Sequence, residues 1–220
     1  MKSIKLSLVF NILIFVFVLF ATVAMYTGFE FMGHADQLVA SSVKMLQFYT
    51  VQSNLLMGLM ALVFVIYDIL LLKGKISKMP NALYLLKLTF TVGVSVTLLT
   101  VVLYLTPITK GAAMLYINAN LFYHLLVPLL AIATLVFFEK SNAISFKHTP
   151  LCLLPTVLYG IYYIINAFTH VVDGKVPAEY DWYLFAQGGT IATILAFTIM
   201  LLFTYVLTLV LWKLNKKTAN

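Results

Sequence analysis

Six apolar stretches, at residues 5–26, 44–72, 82–106, 112–138, 150–170 and 190–213, dominate the chain, and short segments bearing Gly, Pro, Asp and Lys separate them. A helix rises ~1.5 Å per residue, so about 20 apolar residues cross the hydrocarbon of a bilayer, and each stretch predicts one crossing. The expected architecture is a single all-α domain, a bundle of six transmembrane helices. The first stretch is longer than the ~7 to 15 apolar residues of a signal peptide and is read as a retained span.

Composition agrees with this pattern. Apolar residues make up 63% of the 220 and charged residues 10%, whereas soluble domains have roughly half and a quarter. The net charge of +7 raises the question of nucleic acid, but the lysines are scattered between apolar runs and form no basic face, so no nucleic-acid partner is expected. They act instead as a topology signal: eleven fall on one side of the six-span layout and three on the other, which predicts cytoplasmic N- and C-termini. Glu30, Asp36, Asp173, Glu179 and Asp181 fall on the opposite, outer side. Tyr180, Trp182, Tyr183 and Trp212 stand near span ends and read as interfacial anchors. Cys152 is the single cysteine, and no Cys/His cluster suggests a metal or other cofactor. No internal repeat is evident, which argues against the inverted-repeat transporters.

Polar residues inside spans carry the functional information, because hydrocarbon excludes them unless they have a use. In the second span Gln47, Thr50 and Asn54 share one helical face, with Ser53 beside them. In the fourth, Tyr116, Asn120, His124 and Pro128 follow at i+4 spacing. Counted from residue 112, His124 is expected roughly 18 Å along its helix; counted from residue 44, Thr50 and Asn54 are expected roughly 9 and 15 Å along theirs. The two stripes can then meet in the outer half of the bundle. Pro128 lacks the N–H that would bond the His124 carbonyl, which predicts a bend. Tyr159, Tyr162, Tyr163, Asn166 and His170 share a face of the fifth span and offer a third wall. Asp68, near the inner end of the second span, is expected to reach water or Lys73, and no other carboxylate falls within the predicted hydrocarbon region. Proton or cation relays that need buried acids therefore lack their usual parts.

The run Tyr49-Thr50-Val51-Gln52-Ser53-Asn54, with Asn120-Leu121-Phe122-Tyr123-His124 two spans later, resembles the androgen-induced-gene family of intramembrane hydrolases. In that family a membrane-embedded Thr and His form the catalytic pair, and animal members cleave fatty acid esters of hydroxy fatty acids. The resemblance implies Thr50 and His124 as that pair. Where the animal proteins have a second His after the Asn, this chain has Leu121; His124-Leu125-Leu126-Val127-Pro128 is similar to the His-x-x-x-Pro of bacterial six-span relatives. A bacterial plasma membrane is the expected location, and the absence of Arg fits a low-GC coding bias.

Three readings follow. In the first, Thr50 attacks an acyl ester with His124 as general base, and Asn54, Ser53 and Asn120 stabilise the oxyanion or, with Gln47, Tyr159, Tyr163 and Asn166, hold a lipid-like substrate drawn from the membrane. In the second the same residues line a non-catalytic cavity for a lipid or amphiphile, or a small transport path. In the third both stripes only cement helices.

Overall fold

A computed structural model describes residues 2–33, 41–110 and 112–216; Asp36 and Lys217, which entered the charge count, lie outside the described residues. Six helices are long and apolar enough to cross a membrane: α1 (Lys2–Thr27), α2 (Tyr49–Leu72), α3 (Asn81–Ile108), α4 (Ala119–Phe138), α5 (Phe146–Thr169) and α6 (Gly189–Asn215). The described residues contain no strand. The chain is an all-α integral membrane protein with six candidate spans.

The start of α1 and the ends of α4 and α6 meet at one end of the bundle. There Ser3 Oγ donates to the Phe138 carbonyl at 2.6 Å, and Asn215 Nδ2 donates to the carbonyls of Leu135 and Glu139 at 2.8 and 2.9 Å. We call this the terminal end and its opposite the distal end. α3 runs through the middle, 61% buried over its apolar window against 17% for α6. Burial on every side requires small residues, and α3 supplies Thr89, Thr91, Gly93, Ser95 and Thr97 along its buried length. Where α1 crosses α2, Gly58 permits the contact: a Cβ there would lie 2.7 Å from Val18 Cγ1.

The helix starts at the distal end differ from expectation. Residues 42–47 form a 3-10 turn and Phe48 is extended, so α2 begins at Tyr49. Residues 112–116 form another 3-10 turn, and Asn118, at φ 54°, redirects the chain before α4 begins. Each turn inserts one apolar side chain, Met45 or Leu115, into the interior. A hydropathy window counts apolar residues whatever their backbone conformation, so it runs through a 3-10 turn that abuts a span. Asn118 fixes the corner with its own side chain: Oδ1 accepts the Phe31 and Met32 amides, each at 2.8 Å, and Nδ2 donates to the Gly33 carbonyl at 2.9 Å.

The expected bend at Pro128 takes the form of a widened turn. Residues 122–126 are π-helical, and Val127 N–H reaches back five residues to the Phe122 carbonyl. The same device precedes Pro107, where residues 101–105 are π-helical and Thr106 N–H bonds the Val101 carbonyl. Each proline lacks one N–H, and the longer hydrogen-bond ring just before it makes room for the ring clash.

Candidate functional site

Thr50 lies in the first turn of α2, and His124 and Asn54 each lie five residues into their helices, about 7.5 Å along. All three are therefore closer to the distal surface than a count from the apolar boundaries implies. Because α2 and α4 run in the same direction, Asn54 and the residues around His124 come level. A direct link joins them: Asn54 Nδ2 donates to the Thr50 carbonyl at 2.8 Å and to the Tyr123 carbonyl at 3.2 Å. Ser53 Oγ also donates to the Thr50 carbonyl at 3.1 Å and lies 3.4 Å from Thr97 Oγ1 on α3. Asn54 Oδ1 is buried without a hydrogen-bond partner among the described residues.

His124 is held from a direction the sequence did not suggest. The 3-10 turn before α4 folds back so that the Leu115 carbonyl lies 2.7 Å from His124 Nδ1. A carbonyl only accepts, so Nδ1 carries the hydrogen and, in the neutral ring, Nε2 keeps its lone pair. Nε2 has no hydrogen-bond partner among the described residues. This is the tautomer a general base needs, with a main-chain carbonyl in the orienting role that a carboxylate often fills. Tyr116, expected to continue the His124 stripe, belongs to the separate turn and pairs with Thr106 Oγ1 at 2.6 Å. Asn120 is buried on α4, one turn before His124.

Among the described residues no hydrogen bond joins Thr50 to His124. Above Thr50 sits Tyr183, from the segment between α5 and α6: its hydroxyl accepts the Tyr49 amide at 3.0 Å and also interacts with the amide and hydroxyl of Thr50. α2 starts without a side-chain cap from Phe48, and Tyr183 serves instead. Burial pushes the Tyr183 phenol up from its usual pKa, so it stays a neutral hydroxyl.

The expected third wall divides. Tyr159 donates to the Gln47 carbonyl at 2.7 Å and accepts from Trp182 Nε1 at 2.9 Å, which brings Gln47 and Tyr159 beside the start of α2. Tyr163 and Asn166 instead hold the distal segment: Tyr163 donates to the buried Asp181, and Asn166 Nδ2 donates to the Tyr180 carbonyl at 3.2 Å. Asp181 also accepts from Gln187 Nε2 at 2.9 Å. Trp182 and Tyr183 are thus packed into a folded cap, where interfacial anchors were expected.

A cavity of about 200 Å³ opens between α2, α3 and α5, with Tyr49, Gln52, Ser53, Gly93, Tyr159 and Tyr162 among its walls. It takes in Ser53 and Tyr159 from the expected site; Thr50 and His124 do not line it.

Asp68 departs from expectation. It is 2% exposed and faces α1, where Ser7 Oγ lies 2.7 Å from Oδ2; the side chain that meets it is Ser7 and not Lys73. Nor is it the only buried carboxylate, because Glu139, just past the end of α4, turns inward and is 5% exposed. Lys87, counted above as a topology lysine, is fully buried. The Ser7-x-x-x-Asn11 pair, on one face of the first span and followed by apolar residues as far as Ala21, was the legible trace of this region.

In comparison with known proteins, no family model matches this chain, and no curated protein or solved structure matches it.

Proposed function

We propose that the protein is an intramembrane lipid ester hydrolase or acyl transferase with Thr50 as nucleophile and His124 as general base, resident in a bacterial plasma membrane. The observation that carries this reading is the Asn54 side chain, bonded at once to the Thr50 carbonyl and to the carbonyl preceding His124, so that one amide ties the two halves of the expected site together. The tautomer that Leu115 imposes on His124 supports it. Thr50 Oγ attacks the acyl carbonyl while Nε2 takes the hydroxyl proton; the ester C–O bond breaks, and the imidazolium returns the proton to the departing alcohol. Water or a second alcohol then releases the acyl group from Thr50. Ser53, Asn54 and Asn120 are the polar side chains assigned to the oxyanion.

Purified protein in detergent micelles, supplied with a long-chain acyl ester, tests this. Thr50→Ala and His124→Ala are each expected to lower the rate ~100-fold or more while the protein stays monodisperse. Unchanged turnover in both variants overturns the reading.

One observation favours a second reading, non-catalytic binding of a lipid or amphiphile: the cavity between α2, α3 and α5 excludes Thr50 and His124. In that case an acyl ester is retained through purification and recovered intact, and Gly93→Leu, which fills the cavity wall, abolishes retention.

A further inference from the structure

The buried charges at the terminal end belong to neither reading. Four helices converge there. α1 contributes Ser7 and Asn11, α2 contributes Asp68, α3 contributes Lys87, and Glu139 follows α4. Lys87 Nζ donates to Asn11 Oδ1 and lies 3.3 Å from Glu139 Oε1, over the Phe64 ring at 4.6 Å. Glu139 Oε1 accepts Asn11 Nδ2 at 2.7 Å and lies 3.1 Å from Ser7 Oγ, which in turn is 2.7 Å from Asp68 Oδ2. Tyr84, on α3, is the remaining titratable group that faces both carboxylates. On α1 the titratable groups at this end are Lys2 and Lys5, and both are exposed.

Two counts fail if both acids are ionised. The first is charge: two carboxylates and one ammonium leave a net negative charge in a region shielded from water, and Glu139 Oε2, also buried, has no partner among the described residues. The second is hydrogens. Ser7 has one hydroxyl hydrogen, yet its oxygen is within bonding distance of a carboxylate oxygen on either side. Two ionised carboxylates can only accept, so one of those contacts would be oxygen against oxygen. One added proton corrects both counts. Placed on Asp68 Oδ2, it donates to Ser7 Oγ, Ser7 donates to Glu139 Oε1, and the cluster is neutral.

We infer that Asp68, Ser7 and Glu139 form a binding site for one exchangeable proton, with Lys87 as its built-in counter-ion. The proton has two seats. If Asp68 passes its proton to Ser7 Oγ while Ser7 passes its own to Glu139, the O–H bonds broken and formed are equal in number, and the negative charge moves from Glu139 to Asp68. With the proton on Asp68 the ion pair joins α3 to the end of α4; with it on Glu139 the negative charge lies against α1 and α2. The position of one proton therefore selects which helices the buried charge holds. No external cation is needed, because the Lys87 ammonium, 3.3 Å from Glu139 Oε1, already supplies the positive charge.

Infrared difference spectroscopy of the full chain in phosphatidylcholine nanodiscs tests the inference by charge balance. The wild-type protein at neutral pH should show one protonated-carboxyl stretch that shifts in D₂O and moves when Asp or Glu carries ¹³C in its carboxyl group. Removing either acid leaves one carboxylate facing one ammonium, so the band should vanish in both Asp68→Asn and Glu139→Gln. Removing the ammonium by Lys87→Met should double it. Ser7→Ala should keep the band's area and move its frequency. Absence of any such band from the wild-type protein at neutral pH overturns the inference, and so does a band that persists in both Asp68→Asn and Glu139→Gln. If those variants do not fold, the labelled wild-type protein still decides: a band that moves with neither label overturns it.

Discussion

The two ends of the bundle solve the problem of polar groups among apolar helices in opposite ways. At the distal end Asn54, Ser53, His124 and Tyr159 each bond a main-chain carbonyl. At the terminal end Ser7, Asn11, Asp68, Lys87 and Glu139 bond largely to one another, and three of them are ionisable. A carbonyl belongs to the helix whether or not a side chain meets it, so the distal contacts can be lost one at a time. The terminal contacts are mutual, and removing one member strands the rest. Polar side chains anchored singly on main chain next to a cavity suit a site that must admit a substrate; mutual ionic contacts suit a joint that must stay closed.

The largest effect is expected from Lys87→Met. It leaves two buried acids without their cation and should lower stability by about 3 to 5 kcal/mol, read as a fall in thermal midpoint at neutral pH. Because the folded variant must take up protons that the unfolded chain does not hold, this loss should shrink as pH falls. Replacing the whole set, Asp68→Asn with Lys87→Met and Glu139→Gln, should recover most of it. If the triple variant is no more stable than the single one, the mutual character of the cluster is wrong.

Asn54→Ala is expected to cost only about 1 kcal/mol, the size of a hydrogen bond between membrane helices. A loss equal to that of Lys87→Met would erase the contrast between the two ends.

Tyr183→Phe sharpens the distal side with a smaller effect, since the variant keeps the ring packing and loses only the cap on α2. Burial holds the Tyr183 phenol above its usual pKa, so in strong alkali, above about pH 10, the unfolded chain releases a proton that the folded chain keeps. Stability carried by this group is full below that pH and falls as pH rises. The variant should lose less stability than the parent between neutral and alkaline pH, measured by thermal midpoint.

Particular residues mark how far the sequence could be read. Asn54 on α2 bonds the Tyr123 carbonyl on α4, a contact between two faces that helix periodicity marked as polar, whereas Gln47 and Tyr116, expected on those faces, lie in separate 3-10 turns. His124's orienting group was illegible: Leu115 acts through its carbonyl, which every residue has, and reaches His124 only because Asn118 turns the chain. Tyr183 read as an anchor because an aromatic near a span end looks the same whether it faces lipid or caps a helix. Lys87 and Glu139 were misplaced for a related reason: each lies near a span end, where hydropathy cannot separate a side chain reaching water from one folded inward.

The sequence by itself determined six crossings, their approximate limits and the polar faces of α2 and α4, since these depend on local composition and on a period of 3.6 residues. Only the tertiary structure decided which helices meet, that 3-10 turns precede α2 and α4, and that Ser7, Asn11, Asp68, Lys87 and Glu139 share one interior. Those outcomes come from contacts between residues as far apart as Ser7 and Glu139, and no property of either residue alone encodes its distance from the other.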